Sequence, residues 1–168
     1  MITRALLDSI LSQYTLPAYG THGLSHWARV LTYGRKLAVS IPGSLPVVEL
    51  FAVLHDSRRI NEGYDHDHGR RGADFAVTLR GRYFELDDQQ FDLLYTAIRY
   101  HTDGLIHADP VVQICWDADR LDLGRVGITP SSNRLCSAAG RQQEMQLYAN
   151  RLSKSGIFPE EIQSEWGL

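Results

Sequence analysis

Apolar residues recur every three or four positions along most of the chain, which is the spacing of an amphipathic helix. Alternating apolar and polar runs, typical of strands, are few, as are the turn pairs of hairpins. The pattern therefore predicts an all-α fold, a compact helical bundle. The predicted helices span residues 3–12, 21 or 25 to 38, 46–56, 68–79, 87–101, 110–123 and 133–153.

Polar or irregular stretches separate these helices. Residues 57–67 combine charges with Asn61 and Gly63 and lack apolar periodicity, so they predict a loop. Gly127 and Pro130 interrupt residues 124–133 in the same way. A chain of 168 residues fits one domain that buries about 70% of its unfolded surface. Since no internal repeat or linker is present, we expect a single domain over residues 1–168.

The doublet His55-Asp56 follows directly after an apolar run over residues 47–54. Aspartate is rarely buried unless it is paired or binds a metal, so the doublet needs a partner. His26 and Asp119, on two other predicted helices, supply further donors. Imidazole and carboxylate together suit divalent manganese, iron, zinc or magnesium. The sequence therefore predicts a metal site built from three helices.

Two further histidines occupy apolar faces. His68 shares its predicted face with Phe75 and Leu79, and His101 continues the stripe that contains Ile98. A single inward histidine is more often a hydrogen-bonded core residue than a ligand, so for each histidine taken alone both interpretations stay open.

Asp117 and Asp119 compete for one position. Two residues correspond to about 200° around a helix, so only one of these carboxylates can face a common centre. We choose Asp119, because its face, with Cys115 and Trp116, is the more apolar. Asp117 is then interpreted as a partner of a ligand or as a cap.

Several basic residues near the doublet are candidates for binding substrate. Guanidinium groups bind phosphate oxygens in pairs and neutralise their charge. Arginines after a helix end are also commonly solvated surface residues, and a histidine near glycines can serve as a cap. The candidates are His22, Arg58, Arg59, Arg70, Arg71 and Arg120.

Three segments in this order resemble the HD-domain metal-dependent phosphohydrolases. They are His26-Trp27-Ala28-Arg29-Val30, Val53-Leu54-His55-Asp56 and Ala118-Asp119-Arg120-Leu121, within residues 21–123. The resemblance implies an all-α bundle in which His26, His55, Asp56 and Asp119 bind a divalent cation. Residues 68–73 and 97–104 look like the added histidine segments of binuclear members, which implies a second metal at His68 and His101. The Gly-Tyr-Pro segment of the cyclic-dinucleotide phosphodiesterases is absent, which counts against that substrate.

The resemblance implies a hydrolase. Its substrate would be a phosphomonoester, phosphodiester or phosphoanhydride in a small nucleotide or other phosphorylated metabolite. Hydroxide held by one or two divalent ions (Mn, Fe, Mg, Zn or Ni) would attack, with His55 and Asp56 as catalytic residues. Two alternatives stay open: a metal-containing sensor or interaction module without turnover, and a di-iron oxygenase.

Composition and charge indicate which binding partners and which cellular compartment to expect. A net charge of −3 with 22% charged residues gives no pronounced basic surface, which argues against duplex nucleic acid as a partner. Cys115 and Cys136 have neither metal-site spacing nor disulfide density, so reduced thiols are expected. No stretch reaches membrane-spanning length, and no signal-peptide layout opens the chain. We expect a cytoplasmic protein with a small phosphorylated substrate and no membrane partner; the oligomeric state stays open.

Overall fold

The computed structural model describes residues 2–168 and contains eight α-helices within them. No β-strand forms in this range, and Arg80 and Phe84 share one isolated bridge. The prediction of an all-α fold is confirmed. The helices are α1 (Arg4–Leu11), α2 (Leu24–Ala38), α3 (Leu45–Leu54), α4 (His68–Leu79), α5 (Asp88–Tyr100), α6 (Pro110–Leu121), α7 (Gln143–Ser155) and α8 (Glu160–Trp166).

Helix α3 lies at the centre of the bundle because it is apolar on nearly every side. All residues from 47 to 54 are buried. The acidic residue among them, Glu49, accepts hydrogen bonds from Arg35 of α2 at 2.9 and 2.6 Å. Helices α2, α5 and α6 pack around α3. The C-terminal end of α3, and with it the doublet His55-Asp56, therefore lies inside the molecule.

Two glycines allow α4 to approach its neighbours closely. A Cβ atom at Gly69 would lie 2.7 Å from the carbonyl oxygen of Arg99 on α5, and one at Gly72 would lie 2.9 Å from that of Leu54 on α3. Real Cβ contacts are not this short, so any other residue would push the helices apart. The small residues thus place His68, at the start of α4, against the C-terminal ends of α3 and α5.

The first six predicted helices match the structure to within one helical turn. The prediction that a helix begins at residue 133 is wrong, because α7 begins at Gln143. The carboxylate of Asp117 accepts hydrogen bonds from the backbone N–H groups of Cys136 and Ser137, at 2.6 and 2.8 Å. These contacts fix the segment outside a helix by giving its backbone donors another acceptor.

The C-terminal part of the chain differs from the prediction in two further ways. The helix predicted to reach residue 123 ends at Leu121, and a 3-10 turn, Asp122–Val126, continues from it. Helix α8 was not predicted; it packs against α2 with Trp166 buried.

Cys115 and Cys136 are both buried and form no disulfide with each other. None of the helices within residues 2–168 combines the length and the apolar character needed to cross a membrane. The division of the chain into a single domain stays a prediction.

Candidate metal centre

The six side chains predicted as ligands converge in the interior of the bundle. They come from five helices or the residues that directly follow them. His26 lies on α2, His55 and Asp56 follow α3, His68 begins α4, His101 follows α5, and Asp119 lies in the last turn of α6. Five of these residues are buried, and the Asp119 side chain is 18% exposed.

A first group of donor atoms comes from His26, His55, Asp56 and Asp119. The Nε2 atoms of His26 and His55 lie 3.0 Å apart. Asp119 Oδ1 lies 3.4 and 3.7 Å from these two nitrogens, and Asp56 Oδ2 lies 3.6 and 3.7 Å from them. Donors bound to one ion at about 2.1 Å lie roughly 3.0–3.4 Å from one another. The four atoms could therefore hold one ion after a small contraction.

A second group uses the other oxygen of the same aspartate. Asp56 Oδ1 lies 3.2 Å from His68 Nε2 and 3.6 Å from His101 Nε2, and these two nitrogens are 2.9 Å apart. Arg59 Nε also donates to Asp56 Oδ1, at 3.0 Å. His26, His55 and Asp56 of the first group, and all three residues of the second, have the composition and proximity of a metal site. Asp56 thus belongs to both groups, with one carboxylate oxygen in each.

Each histidine of the site is oriented by an oxygen acceptor at its other ring nitrogen. The Nδ1 partners are Asp122 Oδ2 at 2.8 Å for His26, Phe51 O at 3.1 Å for His55, Asp65 O at 2.5 Å for His68 and Ile98 O at 2.7 Å for His101. Because carbonyl and carboxylate oxygens only accept, Nδ1 must carry the hydrogen. In the neutral ring Nε2 then carries the lone pair, as a metal ligand requires.

Burial and charge set the protonation of the site. Burial lowers the pKa of His55 from 6.5 to about 3, although Asp56 and Asp119 oppose the shift. Burial alone would raise the pKa values of both aspartates, but His55 lowers that of Asp56 and His26 that of Asp119, so both fall below the usual value. Burial also lowers the pKa of His101, but its hydrogen bond to Asp56 and the charge of Asp119 raise it on balance. Two ionised carboxylates beside a neutral imidazole favour a cation between them.

Asp122 holds His26 in place, and the sequence analysis did not assign it this role. Its carboxylate accepts from His26 Nδ1, from Arg29 Nε and Nη2 at 2.8 and 2.9 Å, and from the Tyr33 hydroxyl at 3.1 Å. Asp122 and Arg29 are both buried. Arg29 follows His26 by three residues and Asp122 follows Asp119 by three, the spacing of neighbours on one helical face. That spacing is the signal that could have identified the pair.

The two competing aspartates point to different sides of α6. Asp119 faces the histidines, as chosen from the sequence. Asp117 contacts none of the six ligands and instead anchors the backbone at Cys136 and Ser137. From the sequence, Asp119 has the more apolar face and should be the more buried of the two. In the structure Asp117 is fully buried, whereas the Asp119 side chain is partly exposed. The opening of Asp119 is explained by a cavity beside it.

This cavity has a volume of about 280 Å³ and reaches Asp56, His101 and Asp119. Three of the predicted substrate-binding residues, His22, Arg59 and Arg120, line it. His22 Nδ1 lies 2.5 Å from Glu62 Oε2. Arg125 and Arg134, which the sequence analysis missed, line it as well. They fall between α6 and α7, where the sequence has no periodicity that would show which way they point.

The other three predicted arginines do not line the cavity. Arg58 lies over the ring of Phe75, and exposed Arg70 lies beside Asp74. Arg71 binds the carboxylate of Asp65 at 2.6 and 2.7 Å. The inner face of α4 carries His68 and the glycines, so Arg70 and Arg71 turn away from the site. Arg71 nevertheless fixes the residue whose carbonyl accepts from His68.

Comparison with known proteins bears on the fold. No protein-family profile and no curated protein matches the chain. A crystal structure of a predicted HD superfamily hydrolase from an uncultured Thermotogales bacterium is similar, with a TM-score of 0.67 and 23% sequence identity. The match covers 97% of this chain and 92% of that chain. The chain thus has the fold of an HD-type protein, as the three sequence segments implied.

Proposed function

We propose that the protein is a metal-dependent phosphohydrolase acting on a small nucleotide or another phosphorylated metabolite. The observation that carries the proposal is the convergence of four histidine Nε2 atoms on the two oxygens of Asp56. Facing lone pairs 3.0 and 2.9 Å apart repel one another unless a metal ion or a shared proton lies between them.

The donor set fits one or two divalent ions. His26, His55, Asp56 and Asp119 would hold the first, and Asp56, His68 and His101 the second. Nitrogen and oxygen donors suit Mn, Fe, Zn, Ni or, less well, Mg, so the set fixes the class of ion rather than its identity.

Bound divalent ions lower the pKa of water and polarise phosphoryl oxygens, which is the chemistry that the site would use. The chain's own groups then position the substrate. Arg59, Arg125 and Arg134 bring positive charge to the cavity, where guanidinium groups bind phosphate and stabilise charge that develops during its transfer. The Asp119 carboxylate lines the same cavity, where it can accept a hydrogen bond from water or substrate. His55 and Asp56 remain the proposed catalytic pair.

The test is elemental analysis of protein purified without chelator, for wild type and for Asp56→Ala, His101→Ala and His66→Ala. We expect about two ions per chain in the wild type, since both donor groups would be filled. Asp56→Ala should lose both ions, and His101→Ala should lose one. His66 is exposed and outside both groups, so His66→Ala is the matched control and should keep both.

Hydrolysis of nucleotides, dinucleotides and sugar phosphates is then measured on the same samples by chromatography of the products. Activity that falls with metal content supports the proposal. Failure to bind any ion after reconstitution with manganese, iron, nickel and zinc would refute it. Bound iron with oxygen consumption and no hydrolysis of any of these substrates would instead identify an oxygenase.

A further inference from the structure

A second cavity, of about 350 Å³, lies beside the first. The two share Thr102, Arg120 and Arg134 in their walls, so they adjoin one another. The rest of the second wall comes mainly from Leu105 and Ile106. A molecule with its phosphate at the metal ligands can therefore extend past Arg134 into this space.

Arg120 holds both walls of the second cavity in place. It follows Asp119 directly, and its Nη1 donates to the carbonyl oxygens of Leu105 and Arg134, each at 3.0 Å. Its Nη2 donates to the carbonyl oxygen of Gly104. The predicted substrate-binding guanidinium is thus engaged with the backbone. It fixes the cavity relative to the metal ligands, and such a preformed cavity binds with little ordering cost.

The side chains of these walls suit a planar aromatic group. Leu105 and Ile106 are 82% and 65% exposed, although they are adjacent and apolar. The side chain of Arg134 is exposed and has no hydrogen-bond or ion-pair partner within residues 2–168. Guanidinium groups stack on aromatic planes, and apolar side chains contact the opposite face.

We infer that the second cavity is a base subsite, and that the substrate is a nucleoside phosphate rather than a sugar phosphate or a smaller phosphate ester. The position of the phosphate rests on the proposed function. The base lies between Arg134 and the pair Leu105 and Ile106, while Arg120 acts as a positioning residue for both walls.

The first experiment measures binding that does not depend on hydrolysis. Adenosine, guanosine, cytidine and uridine, and ribose as the control ligand, are titrated into the manganese-loaded protein by calorimetry. Saturable binding of at least one nucleoside, and none of ribose, is expected. Leu105→Ser, Ile106→Ser and Arg134→Ala should each weaken nucleoside binding, by roughly tenfold as for the loss of one stacking contact.

Leu147→Ser and Arg151→Ala are the matched controls, because both residues are exposed on α7 and line neither of these two cavities. They should leave the nucleoside Kd unchanged. The second experiment compares kcat/KM for nucleoside 5′-monophosphates and ribose 5-phosphate. Leu105→Ser and Ile106→Ser should lower kcat/KM for the nucleotides and leave that for ribose 5-phosphate unchanged. Arg134→Ala also removes charge from the phosphate cavity, so it should lower kcat/KM for both substrates, and more for the nucleotides.

The two proposals fail in different ways. Hydrolysis of nucleotides and ribose 5-phosphate with equal kcat/KM, without nucleoside binding, would overturn the base subsite and leave the phosphohydrolase standing. Nucleoside binding that the subsite variants weaken, without hydrolysis of any phosphate ester or phosphoanhydride, would support the subsite and overturn the phosphohydrolase. Nucleoside binding unchanged in all three variants would overturn this location of the subsite.

Discussion

Asp122→Asn removes a buried negative charge on which His26, Arg29 and Tyr33 depend. The Arg29 and Asp122 side chains are 4% and 0% exposed, so water cannot solvate the guanidinium after the charge is lost. Removing one partner of such a pair costs about 3–5 kcal/mol. The exposed pair of Arg4 and Asp8, 57% and 54% exposed, gives the contrast, because pairs of that kind contribute about 0.3–0.5 kcal/mol.

The assay is urea unfolding of the chelated protein at pH 7, followed by circular dichroism. Asp122→Asn should lower the free energy of unfolding by about 3–5 kcal/mol, whereas Asp8→Asn should change it by less than about 0.5 kcal/mol. The double variant Asp122→Asn/Arg29→Met removes both charges, so it should recover part of the loss. Because Asp122 also orients His26, we expect metal affinity in the single variant to fall about 10–100-fold.

Two outcomes would refute this reasoning. A free energy of unfolding for Asp122→Asn within about 0.5 kcal/mol of wild type would show that the buried pair contributes little net stability. A stability loss with unchanged metal affinity would show that other contacts orient the His26 ring.

Two further predictions concern packing and pH. Gly69→Ala should destabilise the protein by about 1–3 kcal/mol and weaken metal binding at His68, because the carbonyl oxygens of Ile98 and Arg99 leave no room for the methyl group. Gly63→Ala, at an exposed loop position, is the control. Equal urea midpoints for the two variants would contradict the packing argument. The hydrogen bond from Arg35 lowers the pKa of Glu165, so the ionised carboxylate stabilises the fold above its unfolded pKa of about 4.3 and this contribution is lost as the pH falls through the lowered folded pKa. Glu165→Gln should therefore cost less than about 1 kcal/mol at pH 7, since the side chain is 33% exposed. The difference in urea midpoint should diminish as the pH falls through the lowered folded pKa, and a difference independent of pH would argue against the ion pair.

The sequence by itself determined the helical architecture from α1 to α6. Apolar residues at spacings of three and four identify an inward face whatever that face packs against, so the helices could be predicted without knowledge of their neighbours. The same rule placed His68 and His101 on inward faces. The order of His26, His55-Asp56 and Asp119 along the chain further predicted the metal-binding residues and the HD-type fold.

Only the tertiary structure decided which groups meet. The start of α7 depends on Asp117, which accepts hydrogen bonds from backbone groups almost twenty positions later in the chain. The sharing of Asp56 between two groups of histidines depends on how closely α4 approaches α3 and α5. The partners of Arg120 and the exposure of Arg134 follow from loops whose paths carry no periodic pattern. Periodicity records the direction of a side chain relative to its own helix, whereas distances between elements arise from packing of residues that are remote in sequence.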